Sequence, residues 1–171
     1  ALEAIARLNH AGWHTVIATN QSGLARGRFD MVALNAIHTR MNRELAAVGG
    51  RIDAVFFCPH GPDDGCLCRK PLPGLFTMIG ERYGLDLAAT HAVGDSFRDA
   101  LAGAAAGCAP HLVCTGKAEA LDSGLLGGLL AQAPRTVVHA DLAAFAQHLL
   151  QGERQGKGAA HEADSVFGRI P

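Results

Sequence analysis

Short apolar runs alternate with helical periodicities along this chain, and that alternation restricts the possible folds more than any other feature. Leu2, Ile5, Ala6 and Leu8 follow helical spacing, which predicts a helix over 1–11 that stops at Gly12. Trp13 to Ala18 is an apolar run, β-branched at Thr15, Val16 and Ile17, and reads as a buried strand. Residues 19–29 read as a polar, Gly-containing loop. Asp30 is placed to cap a helix running to about Val48, with Gly49-Gly50 as its stop. Asp53 to Phe57 is the next strand, and Pro73 opens a helix to about Tyr83. His91 to Val93 is a brief strand ending in Gly94-Asp95, followed by a helix from Phe97 to Ala106 that stops at Gly107. Pro110–Cys114 and Thr136–His139 read as strands, and Asp141–Leu150 as an amphipathic helix. Residues 116–134 are rich in Gly and Leu and carry no clear period. Small and polar residues dominate from Gly152, so residues 151–171 are expected to be a disordered tail on one domain over 1–150.

Such alternation implies a parallel sheet with helices on both faces, and ligands at the carboxyl ends of its strands. Three polar clusters obey that rule: Thr19-Asn20-Gln21-Ser22, the segment after Phe57, and Gly94-Asp95. The chain is 171 residues, enough for one domain with a real core. It is 49% hydrophobic with a formal net charge of −1, which leaves no electrostatic footprint for nucleic acid. Aromatics make up 5%, too few for base-stacking platforms, and no apolar run approaches a membrane span. Cytoplasm is the expected compartment, and a monomer the expected state. Ala1 already lies in the helical pattern, so the first helix is expected to begin at or before residue 1 and the chain to be a fragment.

The segment after Phe57 is the richest in chemistry. Cys58-Pro59-His60 and Cys66-Leu67-Cys68 place three thiols and an imidazole within eleven residues, and Arg69-Lys70-Pro71 follows without a gap. Four such ligands can close a tetrahedron around Zn²⁺ with no position left for water. Cys58, His60, Cys66 and Cys68 therefore read as a structural zinc loop that fixes the backbone presenting two cations. Disulfides are the competing reading, but five cysteines is an odd number and no secretory signal precedes them. Cys108 and Cys114 sit in apolar surroundings, as buried thiols do. Of the nine histidines only His60 has ligand company; His10, His38 and His148 read as surface or helix-face residues.

The hydroxyl and amides of Thr19, Asn20, Gln21 and Ser22 can cradle a phosphoryl oxygen, although a polar turn uses the same residues. Arg69 can grip phosphate in a bidentate way, and Lys70 acts as a point charge beside a developing anion. Asp95 and Asp99 lie four apart where a strand enters a helix. A hard cation such as Mg²⁺ takes one or two such carboxylates with phosphate oxygens and water. The plainer readings are an N-cap for Asp95 and a first-turn helix acid for Asp99.

In this order the motifs resemble the haloacid dehalogenase (HAD) superfamily: Thr after a strand, Lys before a helix, then Gly-Asp-x-x-x-Asp. The segments Thr19–Gly27, Cys58-Pro59-His60, Cys66–Pro71 and Val93-Gly94-Asp95 resemble more closely the D-glycero-D-manno-heptose 1,7-bisphosphate 7-phosphatases, relatives of histidinol phosphatases. The resemblance spans roughly residues 1–150. It implies a Rossmann-like HAD fold, three-layer α/β/α with a parallel sheet, no large cap and a structural zinc loop. It implies Mg²⁺-dependent removal of the C7 phosphate from a sugar bisphosphate, on the way to ADP-heptose for lipopolysaccharide. Thr19 would bond the transferring phosphoryl group and Lys70 would stabilise nucleophile and transition state. Asn20, Gln21, Ser22, Arg69 and Ser96 would read the substrate, and Asp95 would hold Mg²⁺. Asp99 would stand one layer further out.

One motif departs from that pattern. The family attacks with the first Asp of an Asp-x-Asp-Gly strand, and no such motif occurs in the 171 residues. Asp63-Asp64-Gly65 is a different pattern inside the ligand loop. The reading expects that strand, the first central one, to lie before Ala1, leaving 13–18 and 91–93 as unpaired edges and the chain alone inactive and poorly folding. Ser96 stands where relatives often carry Lys, and helix geometry is expected to point Arg98 elsewhere. The alternatives are a phosphatase for histidinol phosphate or another small phosphomonoester, and an inactive zinc-stabilised anion-binding module. A zinc-finger nucleic-acid binder is opposed by charge and ligand spacing.

Overall fold

The computed structural model of the protein describes residues 1–118 and 122–156. Helix α1 spans Leu2–His10, and its chain reverses at Gly12, φ 93°. Strand β1 is Val16–Asn20, later than the 13–18 expected. The helix end takes Trp13 instead: its N–H donates to Leu8 O, and Asn9 Nδ2 donates to Trp13 O at 3.1 Å. Strand pairing then decides where β1 begins, with Val16 opposite Ala54 and Asn20 opposite Cys58 of β2 (Ala54–Cys58), in parallel. The expected loop at 19–29 holds a one-turn helix α2, Ser22–Ala25. Helix α3, Met31–Ala47, starts where expected, with Asp30 Oδ1 accepting from Ala33 N at 2.9 Å.

Helix α4 spans Gly74–Tyr83, strand β3 His91–Gly94, and helix α5 Phe97–Ala105. Strand β4 is Ala109–Val113, helix α6 Ser123–Gln132 and strand β5 Val137–His139. The segment without a readable period thus contains a helix capped by Asp122, whose Oδ1 accepts from Leu125 N. Its Leu and Gly residues surround the helix rather than marking one stripe, which hid it from periodicity. Helix α7 spans Leu142–Gly156, so the tail expected from residue 151 begins as helix. The rest of that expectation, residues 157–171, lies outside the described residues. Cys108 is buried as expected, but Cys114 is exposed, just past the end of β4.

All strand pairs are parallel, in two sheets, β1–β2 and β3–β4–β5. Among the described residues β1 and β3 each keep one edge without a ladder partner, the two edges the sequence reading had singled out. A slot of about 90 Å³ separates them, lined by Val16, Ala18, Phe76, Ile79, Ala92 and Val93. The three-stranded sheet is covered on both faces. On one, Ala4 and Leu8 of α1 pack with Val113, Phe145 and Leu149. On the other, Ala100 of α5 and Leu129 of α6 pack with Leu112. Leu112 and Phe145 are 0% and 1% exposed, and each buried side chain of this kind contributes on the order of 2 kcal/mol. No helix among the described residues is long and apolar enough to cross a membrane.

Candidate active site

The carboxyl ends of β1, β2 and β3 face a common cleft of about 740 Å³. Thr19, Asn20 and Ser22 line it from the end of β1, and Arg69 and Lys70 from the loop after β2. Asp95, Ser96, Arg98 and Asp99 line it from the β3–α5 junction, and Lys117 from the turn after β4. Gln21 is not among the lining residues: its Nε2 turns to Thr19 Oγ1 at 3.4 Å, and its N–H continues the ladder to Cys58 O at 2.8 Å.

Lys70 is held at three points. Its N–H donates to Asn20 Oδ1 at 3.1 Å, while Asn20 Nδ2 donates back to Lys70 O at 3.0 Å. That reciprocal pair ties the end of β1 to a loop fifty residues on, and it uses the Asn20 amide for positioning. The Lys70 ammonium donates to Ala18 O at 2.6 Å and to Asp99 Oδ1 at 2.5 Å. The lysine thus covers a carbonyl on the open edge of β1 and reaches across to α5. The Lys70 and Asp99 side chains are 11% and 13% exposed, so their attraction is weakly screened.

Asp99 also closes a capping box at the start of α5. Its Oδ2 accepts from Ser96 N at 3.1 Å and from the Ser96 hydroxyl at 2.7 Å. Ser96, expected to touch substrate, therefore gives its hydroxyl to the helix cap. A Cβ on Gly94 would run into the Asp99 side chain, which explains glycine there. Asp95 stands free of the cap, with Oδ2 accepting from Lys117 N at 3.3 Å. That contact needs Gly116, φ 60°, where a side chain would collide with the Asp95 carboxyl.

The Cys/His loop is folded as a ligand cluster. Cys58 Sγ lies 3.5 Å from His60 Nδ1 and 3.6 Å from Cys66 Sγ, and Cys68 Sγ lies 3.4 Å from the same imidazole nitrogen. All four ligand atoms sit within 4.8 Å of one another, an arrangement able to hold a metal ion. No disulfide joins these cysteines. Burial opposes ionisation of Cys66, but hydrogen bonds from the Arg69 N–H and the neighbouring thiols outweigh it and pull the group down. Burial first, and then the Cys58 and Cys66 thiols, push Cys68 up to about 12. The thiols thus compete for ionisation, a conflict that a bound divalent cation removes. The loop also reaches the cleft directly, because Arg69 Nη1 donates to His60 O at 3.2 Å.

A second lobe of about 440 Å³ adjoins the cleft, walled by Pro62, Gly65, Cys66 and Leu67 of the ligand loop. The two lobes share Arg69, Lys70 and Arg98. Arg98 therefore faces the site, contrary to the expectation that helix geometry points it away. At the second position of α5 its long side chain lies back over the helix start. Lys117 is the residue that sequence reasoning missed. The signal was available as Gly116-Lys117 just past a strand end, the same placement as the other polar clusters. Four cations and two carboxylates line the cleft, and one cation is paired with Asp99, so the open space favours an anion.

Residues 67–144 match the family described as "HAD-hyrolase-like". The D-glycero-beta-D-manno-heptose-1,7-bisphosphate 7-phosphatase of Bordetella bronchiseptica is 58% identical over 151 residues, covering 88% of this chain and 82% of the relative. The enzyme of the same name from Pseudomonas aeruginosa is 49% identical over the same shares. The crystal structure of the D,D-heptose 1,7-bisphosphate phosphatase from B. bronchiseptica, complexed with magnesium and phosphate, matches with a TM-score of 0.82 over 88% of this chain and 82% of that one. The corresponding protein from Burkholderia thailandensis matches with a TM-score of 0.67 at 51% identity, covering 87% of this chain and 83% of that one. On that identity and coverage, the chain belongs to the D-glycero-beta-D-manno-heptose-1,7-bisphosphate 7-phosphatase family of HAD-like hydrolases.

Proposed function

We propose that this protein is a phosphatase that removes the C7 phosphate of D-glycero-beta-D-manno-heptose 1,7-bisphosphate. The observation that carries this reading is the ligand loop running straight into Arg69 and Lys70, with Lys70 fastened between Ala18 and Asp99 at the strand ends. Preorganised charge aimed at a transferring phosphoryl group is the main source of catalysis in such reactions.

On this reading Lys70 balances negative charge as the phosphoryl group moves, and Asp99 sets its position. The Thr19 hydroxyl and neighbouring groups of Asn20, Gln21 and Ser22 orient phosphoryl oxygens. An Asp-x-Asp pair is not among the 171 residues, and the roles given to Thr19, Lys70 and their neighbours are to bind and neutralise the phosphoryl group. Asp95, with a carboxylate oxygen open to the cleft, fits Mg²⁺, which when bound would neutralise phosphate oxygens. Cys58, His60, Cys66 and Cys68 fit Zn²⁺. A tetrahedron with sulfur at ~2.3 Å and nitrogen at ~2.0 Å has edges of roughly 3.5–3.8 Å, against observed separations of 3.4, 3.5 and 3.6 Å. Held by these four residues, a zinc ion would fix the loop that presents Arg69 and Lys70. Arg69 and Arg98, shared by the two lobes, fit the phosphate that is retained. The protein works as a cytoplasmic monomer on this small anion, without nucleic acid.

The test is phosphate release by the native protein from the heptose bisphosphate and from histidinol phosphate, with and without Mg²⁺. Preference for the bisphosphate, with KM raised about tenfold by Arg98→Ala, supports the reading; a tenfold loss corresponds to one charge-assisted contact of ~1.4 kcal/mol. Preference for histidinol phosphate overturns the substrate. Phosphate binding with no release of phosphate from either compound favours an anion-binding module.

A further inference from the structure

Away from the cleft, the face of the β3–β4–β5 sheet under α1 and α7 carries a row of histidines to which the phosphatase reading gives no role. Val93 lies opposite His111 and Val113 opposite His139, so His91, His111 and His139 share one face and step diagonally across three strands. His91 Nδ1 lies 2.9 Å from His111 Nε2, and His111 Nδ1 lies 2.9 Å from His139 Nε2. His148 of α7 brings its ring within 5.2 Å of His139 and 6.0 Å of His111. Phe145 stands edge-on to His111 and His139, and Trp13 edge-on to His91. His111 is 3% exposed and His139 8%, whereas His148 is open to solvent.

The row is not shaped for a metal, because His111 turns its two nitrogens towards opposite neighbours. It is shaped as a chain of neutral rings, each donating one N–H and accepting one. An added proton gives one ring two donors and puts a charge among Leu8, Phe145 and Leu149. Among the described residues no carboxylate is paired with a ring of the row. Glu3, Arg7 and His10 of α1 are exposed, and His148 is the one titratable group among the described α7 side chains. Asp141 caps α7 through Ala144 N. His14 lies 3.4 Å from Asp53, and across the slot Lys70 and Asp99 are already paired. Cys108 and Cys114 are the other titratable groups of β4 and its ends.

We propose that this histidine row is an acid-sensitive latch: neutral, it holds α7 and α1 on the sheet, and protonated from the His148 side it releases them while α5 and α6 stay packed on the opposite face. Burial, with the adjacent histidines adding to it, pushes His111 down to about 3. Burial first, and then His148, lowers His91 and His139 as well. A released histidine titrates near ~6.5, so the closed form binds fewer protons than the open one. The latch's contribution is therefore complete above about pH 6.5 and is lost as pH falls towards the closed-state value. At pH 5.5 His111 alone raises the open-to-closed ratio about tenfold.

The test is amide hydrogen exchange on the full chain at pH 7.5, 6.5 and 5.5, corrected for intrinsic exchange rates. The expected result is about a tenfold loss of protection in α1 and α7 at pH 5.5, with α5 unchanged, and a flattened pH dependence in His111→Leu. Should that variant not fold, NMR titration of the wild-type rings decides, with His111 staying neutral until α7 exchanges. Protection of α1 and α7 down to pH 5.5, equal loss in α5, or a His111 titrating near ~6.5 in a closed sheet would each overturn the latch. The outcome is independent of the substrate assay.

Discussion

The two halves of the split sheet are held together by different forces. In β3–β4–β5 the central strand β4 is buried from Pro110 to Val113, with helices on both faces. In β1–β2 the strands are only half-buried, and Cys58 at the very end is the one fully buried strand residue. That half is fastened by directional links: the Cys/His cluster, the Asn20–Lys70 exchange, and Asp53 accepting from Thr15 N and Arg51 Nε. A site that must stay open to an anion cannot be filled with apolar side chains, so its walls are fixed by polar geometry.

The largest break in this comparison is expected from Lys70→Met. It strips the charge beside the phosphoryl group and leaves Asp99 buried without its cation. Phosphate release should fall on the order of a hundredfold or more, with a stability loss of roughly 3 kcal/mol measurable by urea titration. Retention of wild-type turnover would show that Lys70 only staples the sheets. Next comes the metal. Cys66→Ser, or chelation, should release about one metal ion per chain, measured by elemental analysis, and lower turnover tenfold or more through the loosened Arg69 and Lys70. The β3–β4–β5 half should keep its exchange protection, and equal loss in both halves would erase the distinction drawn between them.

Phe145→Ala probes the other half. It should cost about 3–4 kcal/mol in chemical denaturation while KM and metal content stay at wild-type values. A raised KM would show that the apolar half shapes the cleft after all. The smallest effect is expected from Ser96→Ala, about 1 kcal/mol for the lost helix cap, with KM unchanged. A KM rise without loss of stability would return Ser96 to the substrate-reading role that the family resemblance implies.

The family, the strands and most of the helices, and the ligand quartet were legible in the sequence, because each rests on neighbours in sequence; α2 and α6 were not. Cys58, His60, Cys66 and Cys68 lie within one loop, and the Asp30 cap, the Pro73 start and the Gly49 stop act over a single turn. Individual roles were harder to read. Asn20 and Ser96 were expected to meet substrate, yet Asn20 bonds a residue fifty positions on, which no spacing rule reveals, and Ser96 closes a capping box with Asp99 at the i, i+3 spacing of such boxes. Arg98 was set aside on helix geometry, and Lys117 carried a signal too short to weigh alone.

What the sequence alone determined was local: ligand types at loop spacing, caps, periodicities, and the motifs that mark a phosphatase family. Tertiary structure decided what depends on strand register and on approach between distant segments. It set the register on each side of the divided sheet, where β1 pairs only with β2 and β3 only with β4 among the described residues. It spanned the division with Lys70, whose partners lie 52 and 29 residues away. It also gathered His91, His111 and His139, twenty and twenty-eight residues apart, into one hydrogen-bonded row. Each of those histidines alone reads as an ordinary polar residue in an apolar run, and only parallel pairing puts the rings on one face.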